Sequence, residues 1–146
     1  MYKEYDVLTL GSELKKLLEK KSEPLMQKYG LRKIELDILA YLSNGRCGDT
    51  AKDIMEKKHI SKAHVSKSID NLKARGFIFL SEDRTDHRFI HIRLSGEADP
   101  VIEDFLKIHE ECWRILLTDI SEEERVLLEQ ICAKMQGNIV RELEKL

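Results

Sequence analysis

The chain has 146 residues, 42% of them hydrophobic and 36% charged, with 25 Lys and Arg against 27 Asp and Glu. That is enough apolar material to bury a core without staples, and charge this balanced excludes disorder, which needs low hydrophobicity with a large net charge. Three cysteines without a C-x-x-C pair exclude a disulfide framework and a zinc finger, and no apolar run approaches the roughly 20 residues of a membrane span. The opening residues show no basic patch followed by an apolar stretch, so no signal peptide is expected and the chain reads as cytoplasmic.

In chain order, Leu8, Leu14, Leu17, Leu18 and Leu25 recur at helical spacing and predict a first helix from about Glu4 to Tyr29. Pro24 is expected to kink it or end its first section, and Gly30 to stop it. Ile34, Ile38, Leu39 and Leu42 share one stripe of a second helix, about Arg32 to Ser43, closed by Asn44 and Gly45. Thr50 with Asp53 is a capping-box start for a short helix from Ala51 to about Lys57. Ser61 opens the next helix, which buries Val65, Ile69 and Leu72, turns Lys62, His64, Ser66, Lys67 and Asn71 elsewhere, and ends at Gly76. The period then changes. Phe77–Ser81 and Phe89–Leu94 are strand-like, and the charged stretch between them reads as a hairpin tip. A long helix resumes at about Gly96, with Pro100 in its first turn. Ser121 with Glu124 opens the last helix, whose stripe runs through Leu128, Ile131, Cys132, Met135, Ile139, Leu143 and Leu146.

The net charge of −2 hides an asymmetry. From Arg46 to Ser95 there are eleven basic and seven acidic side chains; the rest of the chain holds 14 and 20. A basic middle between acidic ends suits a polyanion-binding segment carried on a scaffold. Two short helices followed by a charged hairpin make a winged helix-turn-helix within a mainly α, α+β fold. The second short helix can enter a major groove with Ser61, Lys62, Ala63, His64, Ser66 and Lys67 forward. Arg84 and Arg88 on the hairpin can reach a flanking minor groove, and Asp86 can brace the Arg88 guanidinium as a bidentate partner.

Three segments carry a family resemblance. Residues 29–42, 60–78 and 83–95 resemble the entry into the second helix, the recognition helix and the wing signature of the MarR family of transcription regulators. The wing match is the most specific, with aspartate and arginine two apart at the tip and a Leu-Ser ending. His64 stands where small hydroxyl residues are common in that family. The resemblance implies a winged DNA-binding domain over residues 31–95 and a helical dimerisation region over 1–30 and 96–146. It also implies a homodimer on a pseudo-palindromic double-stranded operator, and a repressor relieved by a small aromatic or anionic ligand. The apolar stripes of the first, fifth and sixth helices point the same way, since unpartnered they would be exposed.

Tyr41 and Trp113 are candidates for lining an effector pocket between the dimer helices and the winged domain. Cys47, beside Arg46 in a polar loop, is the candidate redox residue; Cys112 and Cys132 lie on apolar stripes and read as core hydrophobes. His109 and its neighbouring glutamates show no H-x-x-x-H or H-E-x-x-H pattern, so no metal is assigned. No Gly-rich phosphate loop or Gly-x-Ser-x-Gly appears, so neither an enzyme nor a cofactor is expected. The alternatives are a redox- or metal-sensing regulator of the same fold, and a winged-helix protein-interaction module without DNA binding.

Overall fold

The computed structural model describes residues 6–45 and 48–146. The elements run α1 (Val7–Tyr29), α2 (Lys33–Asn44), α3 (Ala51–Lys58), α4 (Lys62–Ala74), β1 (Ile78–Glu82), β2 (Ile90–Leu94), α5 (Asp99–Leu116) and α6 (Glu122–Glu144). They divide into two compact units, one ending at Glu110 and one spanning Glu111–Leu146.

Local chemistry sets most of the element ends. The Asp6 carboxylate accepts the Leu8 N–H at 2.9 Å and opens α1. Pro24 does not end that helix, which continues to Gly30 at φ 63°; a proline deletes one ladder bond but holds a helical φ. At the start of α2, Glu35 reaches back to accept the Arg32 N–H at 2.8 Å and is itself buried. Thr50 and Asp53 cap α3 reciprocally: the Thr50 hydroxyl oxygen accepts the Asp53 N–H, and the Asp53 carboxylate accepts the Thr50 N–H and O–H. Those bonds hold the Asp53 carboxyl below the ordinary carboxylate range, the Thr50 hydroxyl foremost. His59 closes α3 in the left-handed region at φ 53°, a conformation uncommon outside glycine. Ser61 then accepts the His64 N–H at 3.3 Å and starts α4.

The hairpin begins one residue later on each strand than the alternation predicts. Phe77 donates its N–H to the Leu72 carbonyl, finishing α4, and Phe89 donates to the Asp86 carbonyl, joining the tip. The strands are antiparallel, with Ile78 opposite Leu94, Leu80 opposite Ile92, and Ser81 opposite His91. Gly96–Ala98 is a 3-10 turn, so α5 starts at Asp99 rather than at Gly96.

The core lies in the first unit, where Ile38, Leu39, Ile54 and Leu72 have no accessible surface and Val65, Ile92 and Val101 close around them. Ile38→Val should cost about 0.5–1.5 kcal/mol, seen as a lower urea midpoint at unchanged slope and fixed protein concentration. The second unit is different. No residue of α6 is buried, and Leu128, Ile131 and Ile139 are 41%, 44% and 60% exposed. Cys112 is buried, but Cys132 is exposed rather than a core residue, because no residue of α6 is buried among the described residues. Among the described residues no helix is long and apolar enough to cross a membrane.

Candidate nucleic-acid interface

The α4 helix separates its two jobs by face. Val65, Ser68, Ile69 and Leu72 are buried. Ser61, Lys62, Ala63, His64, Ser66 and Lys67 are all exposed, so the apolar side anchors the helix and leaves two cations, an imidazole and two hydroxyls in solvent.

The wing tip is built by carboxylates. Asp83 Oδ2 accepts the Thr85 N–H at 3.0 Å, the Thr85 hydroxyl at 2.7 Å and the Asp86 N–H at 3.0 Å. Asp86 takes the Arg88 guanidinium in two parallel bonds, Nε–Oδ1 at 3.0 Å and Nη2–Oδ2 at 2.8 Å. That is the bidentate geometry in which an arginine is held in one plane. The guanidinium holds the Asp86 carboxyl below the usual range, yet the Arg88 side chain remains 88% exposed. Arg84 is exposed beside it.

Behind the tip runs a chain of charges that sequence reasoning missed. His91 on β2 places Nε2 2.8 Å from Asp83 Oδ1 and Nδ1 2.5 Å from Asp49 Oδ1. Asp49 Oδ2 lies 3.0 Å from the Arg93 guanidinium, and the Asp49 carbonyl accepts the Ile92 N–H at 2.8 Å. The segment ahead of α3 is thereby stitched to the wing. The only signal in the sequence was the strand alternation, which puts His91 and Arg93 on one face of β2; nothing local points to a partner 42 positions away.

Tyr41 and Trp113 line separate hollows. The Tyr41 hydroxyl donates to the Gly48 carbonyl at 2.6 Å, and the ring borders a hollow with Leu42, Ile92 and Arg93. Trp113, half exposed, borders another with Leu117, Leu128 and Cys132. Sequence reasoning also missed a hollow of about 340 Å³ lined by Lys15, Lys33, Lys58, Asp37, Leu36 and Phe105. Its residues come from four helices, and only folding collects them. Lys33 is paired there with Glu19, and burial pushes the Asp37 carboxyl up. Cys47 and Arg46 lie outside the described residues. Among the described residues, no three His, Cys, Asp or Glu side chains are arranged to hold a metal.

Residues 29–88, from the end of α1 to Arg88, match the model of the MarR family. Over that segment the chain resembles the MarR family. The chain is 30% identical over 87 residues to the HTH-type transcriptional regulator YdgJ of Bacillus subtilis (strain 168), covering 60% of this chain and 53% of that protein. It is 25% identical over 138 residues to the HTH-type transcriptional regulator PecS of Dickeya dadantii (strain 3937), covering 92% of this chain and 83% of that one. The match thus spans about half the length of the first relative. A MarR-family transcriptional regulator from Listeria monocytogenes, solved in complex with a 26mer DNA, aligns with a TM-score of 0.76 at 17% identity, over 94% of this chain and 91% of that one. The winged helix-turn-helix expected from the sequence is therefore the fold of this chain.

Proposed function

We propose that this protein is a cytoplasmic, homodimeric, sequence-specific DNA-binding transcriptional regulator, a repressor released by a small ligand. The observation that carries the DNA-binding reading is Arg88: an arginine held in one orientation by Asp86, yet almost wholly exposed at a hairpin tip. A surface salt bridge of this kind adds little to stability, whereas a preoriented guanidinium suits a groove. The exposed polar face of α4 supplies the second contact surface, and the Listeria relative was solved on DNA. Dimerisation is supported by the bare apolar stripe of α6, and two winged domains then address half-sites about one DNA turn apart.

The effector reading is best supported by the hollow that sets Lys15, Lys33 and Lys58 around an apolar floor of Leu36 and Phe105. Cations over an apolar surface suit a small aromatic carboxylate, and benzoate titrated into a preformed DNA complex should release it.

The test is selection of bound sequences from random double-stranded DNA. Recovery of a pseudo-palindrome supports the proposal. Failure to enrich any sequence, with a folded protein, favours an interaction module without DNA binding. Lys67→Ala then reports on α4. If Lys67 touches phosphate, affinity falls and the slope of log K against log salt becomes shallower by about 0.9 for each phosphate no longer neutralised. If it touches a base edge, preference relaxes at one base pair instead. Unchanged binding on both counts removes this face of α4 from the interface.

A further inference from the structure

The base of the wing is held by the buried Ile78 and Ile92 and by Asp49, whose carbonyl takes the Ile92 N–H and whose carboxylate pairs with Arg93. Its tip is tied to the loop ahead of α3 through one histidine. Both ring nitrogens of His91 contact carboxylates, Asp49 at 2.5 Å and Asp83 at 2.8 Å. A carboxylate only accepts hydrogen bonds, and a neutral imidazole has one N–H and one lone pair. Both contacts are satisfied together only when both nitrogens carry protons. In the neutral ring, one lone pair would face a carboxylate oxygen at contact distance. The geometry is that of an imidazolium.

Both ends of this bridge are firm. Asp49 sits between Gly48, whose carbonyl is held by Tyr41, and Thr50, the cap of α3. Asp83 organises the tip and takes the Asp86 N–H, and Asp86 holds Arg88. Little else secures the outer part of the wing. Its apolar face stands over a hollow of about 420 Å³ lined by Met55, Val65, Ile69, Leu80 and Ile90, and Leu80 and Ile90 remain 40% and 37% exposed.

We propose that His91 is a proton-dependent latch. As the imidazolium it fixes the wing tip, and with it Arg88, to the segment ahead of α3; on losing its proton it frees the tip and weakens the grip on DNA. The proposal rests on the DNA-binding reading above. The charged groups around the ring are Asp49 from the loop, Arg93 from β2, and Asp83, with Glu82 and Arg84 beside it, from the wing. Asp49 first and Asp83 second raise the His91 pKa above its ordinary value, with Arg93 opposing. A raised folded-state pKa means a contribution that is complete below the ordinary histidine value and is lost as pH rises through the folded value. On the acid side the bridge persists, because His91 first, and Thr85 next, hold Asp83 far below the carboxylate range. The latch therefore opens toward alkaline pH.

Two arms test this. In the first, the side-chain signals of the five histidines are followed by NMR from about pH 6 to about pH 9.5 without DNA. His91 should titrate above the ordinary histidine value, and the amide signals of Asp83, Thr85, Asp86 and Arg88 should move with it. In the second, affinity for the selected operator is measured over the same range. The parent should lose about fivefold or more through the His91 transition, a typical coupling between two sites. His91→Gln, with one donor side and one acceptor side, should bind weakly already at the low end and fall no further there. His91→Arg, charged throughout, should keep its affinity across the range. His64 and His87 are present in all three proteins, so their titration cancels. The latch is overturned if the wing amides stay still as His91 titrates, or if the three proteins share one pH profile. Absence of sequence-specific binding at every pH sinks the DNA-binding reading instead, and the first arm reads the latch without it.

Discussion

Arg88→Ala should weaken operator binding by roughly one to four powers of ten, with melting temperature and particle mass unchanged. The side chain is 88% exposed, and its guanidinium is held by its near neighbour Asp86. The tip turn is held by Asp83, not by Arg88. Deleting the guanidinium therefore touches almost nothing the fold depends on. On DNA the loss is larger. A good groove contact is worth about 1–3 kcal/mol, the proposed homodimer loses two, and each power of ten is about 1.4 kcal/mol. Asp86→Ala should give a smaller loss of the same kind, since the arginine keeps its charge but not its orientation. Fluorescence anisotropy on the selected operator, paired with thermal melts, separates these cases. An Arg88→Ala protein that binds like its parent takes the wing out of the interface.

Breaking the α6 stripe should produce a comparable collapse by another route. Ile131 and Ile139 are 44% and 60% exposed in the single chain, and burying the remainder of two such side chains against a partner contributes about 0.7–2 kcal/mol each. Ile131→Glu combined with Ile139→Glu should convert a particle of about twice 17.0 kDa into one of about that mass in micromolar light scattering. The core around Ile38 and Leu72 is in the other unit, so its secondary structure should survive. Operator affinity should fall by about two to four powers of ten, the gain that linking two binding modules supplies. A parent protein that scatters as a well-folded monomer overturns the homodimer outright.

What was legible in the sequence followed from strictly local physics. Thr50 with Asp53, Ser61, and Ser121 with Glu124 are caps whose partners sit within three residues, and each stands at the helix start it predicted. The buried face of α4 is readable because Val65, Ile69 and Leu72 share one side of a helix. At Pro24 the expected end of a first section did not come, because φ compatibility outweighed one missing bond in a helix of 23 residues. Cys132 misled for the opposite reason: its apolar stripe is real, but among the described residues that stripe is left unburied. Of the candidate site, the spacing of Asp86 and Arg88 could be read directly. The Asp49–His91–Asp83 bridge could not, since it depends on where a loop closes against a strand.

One joint inside the first unit bears on how the reading head is aimed. The Arg75 guanidinium, at the end of α4, donates to the Gly30 carbonyl at 2.7 Å and also to the Tyr29 carbonyl, and it lies 5.0 Å over the Phe77 ring. The Tyr29 hydroxyl meanwhile donates to Asp104 of α5 at 2.8 Å. The last turn of α1 is thus gripped from two sides, by the helix that would enter the groove and by a helix outside the winged motif. The Arg75 bonds tie the end of α1 to the end of α4, so a tilt of one would load the other, as a crank loads its shaft. In the proposed dimer, the angle of α1 would then help to set the distance between the two α4 helices.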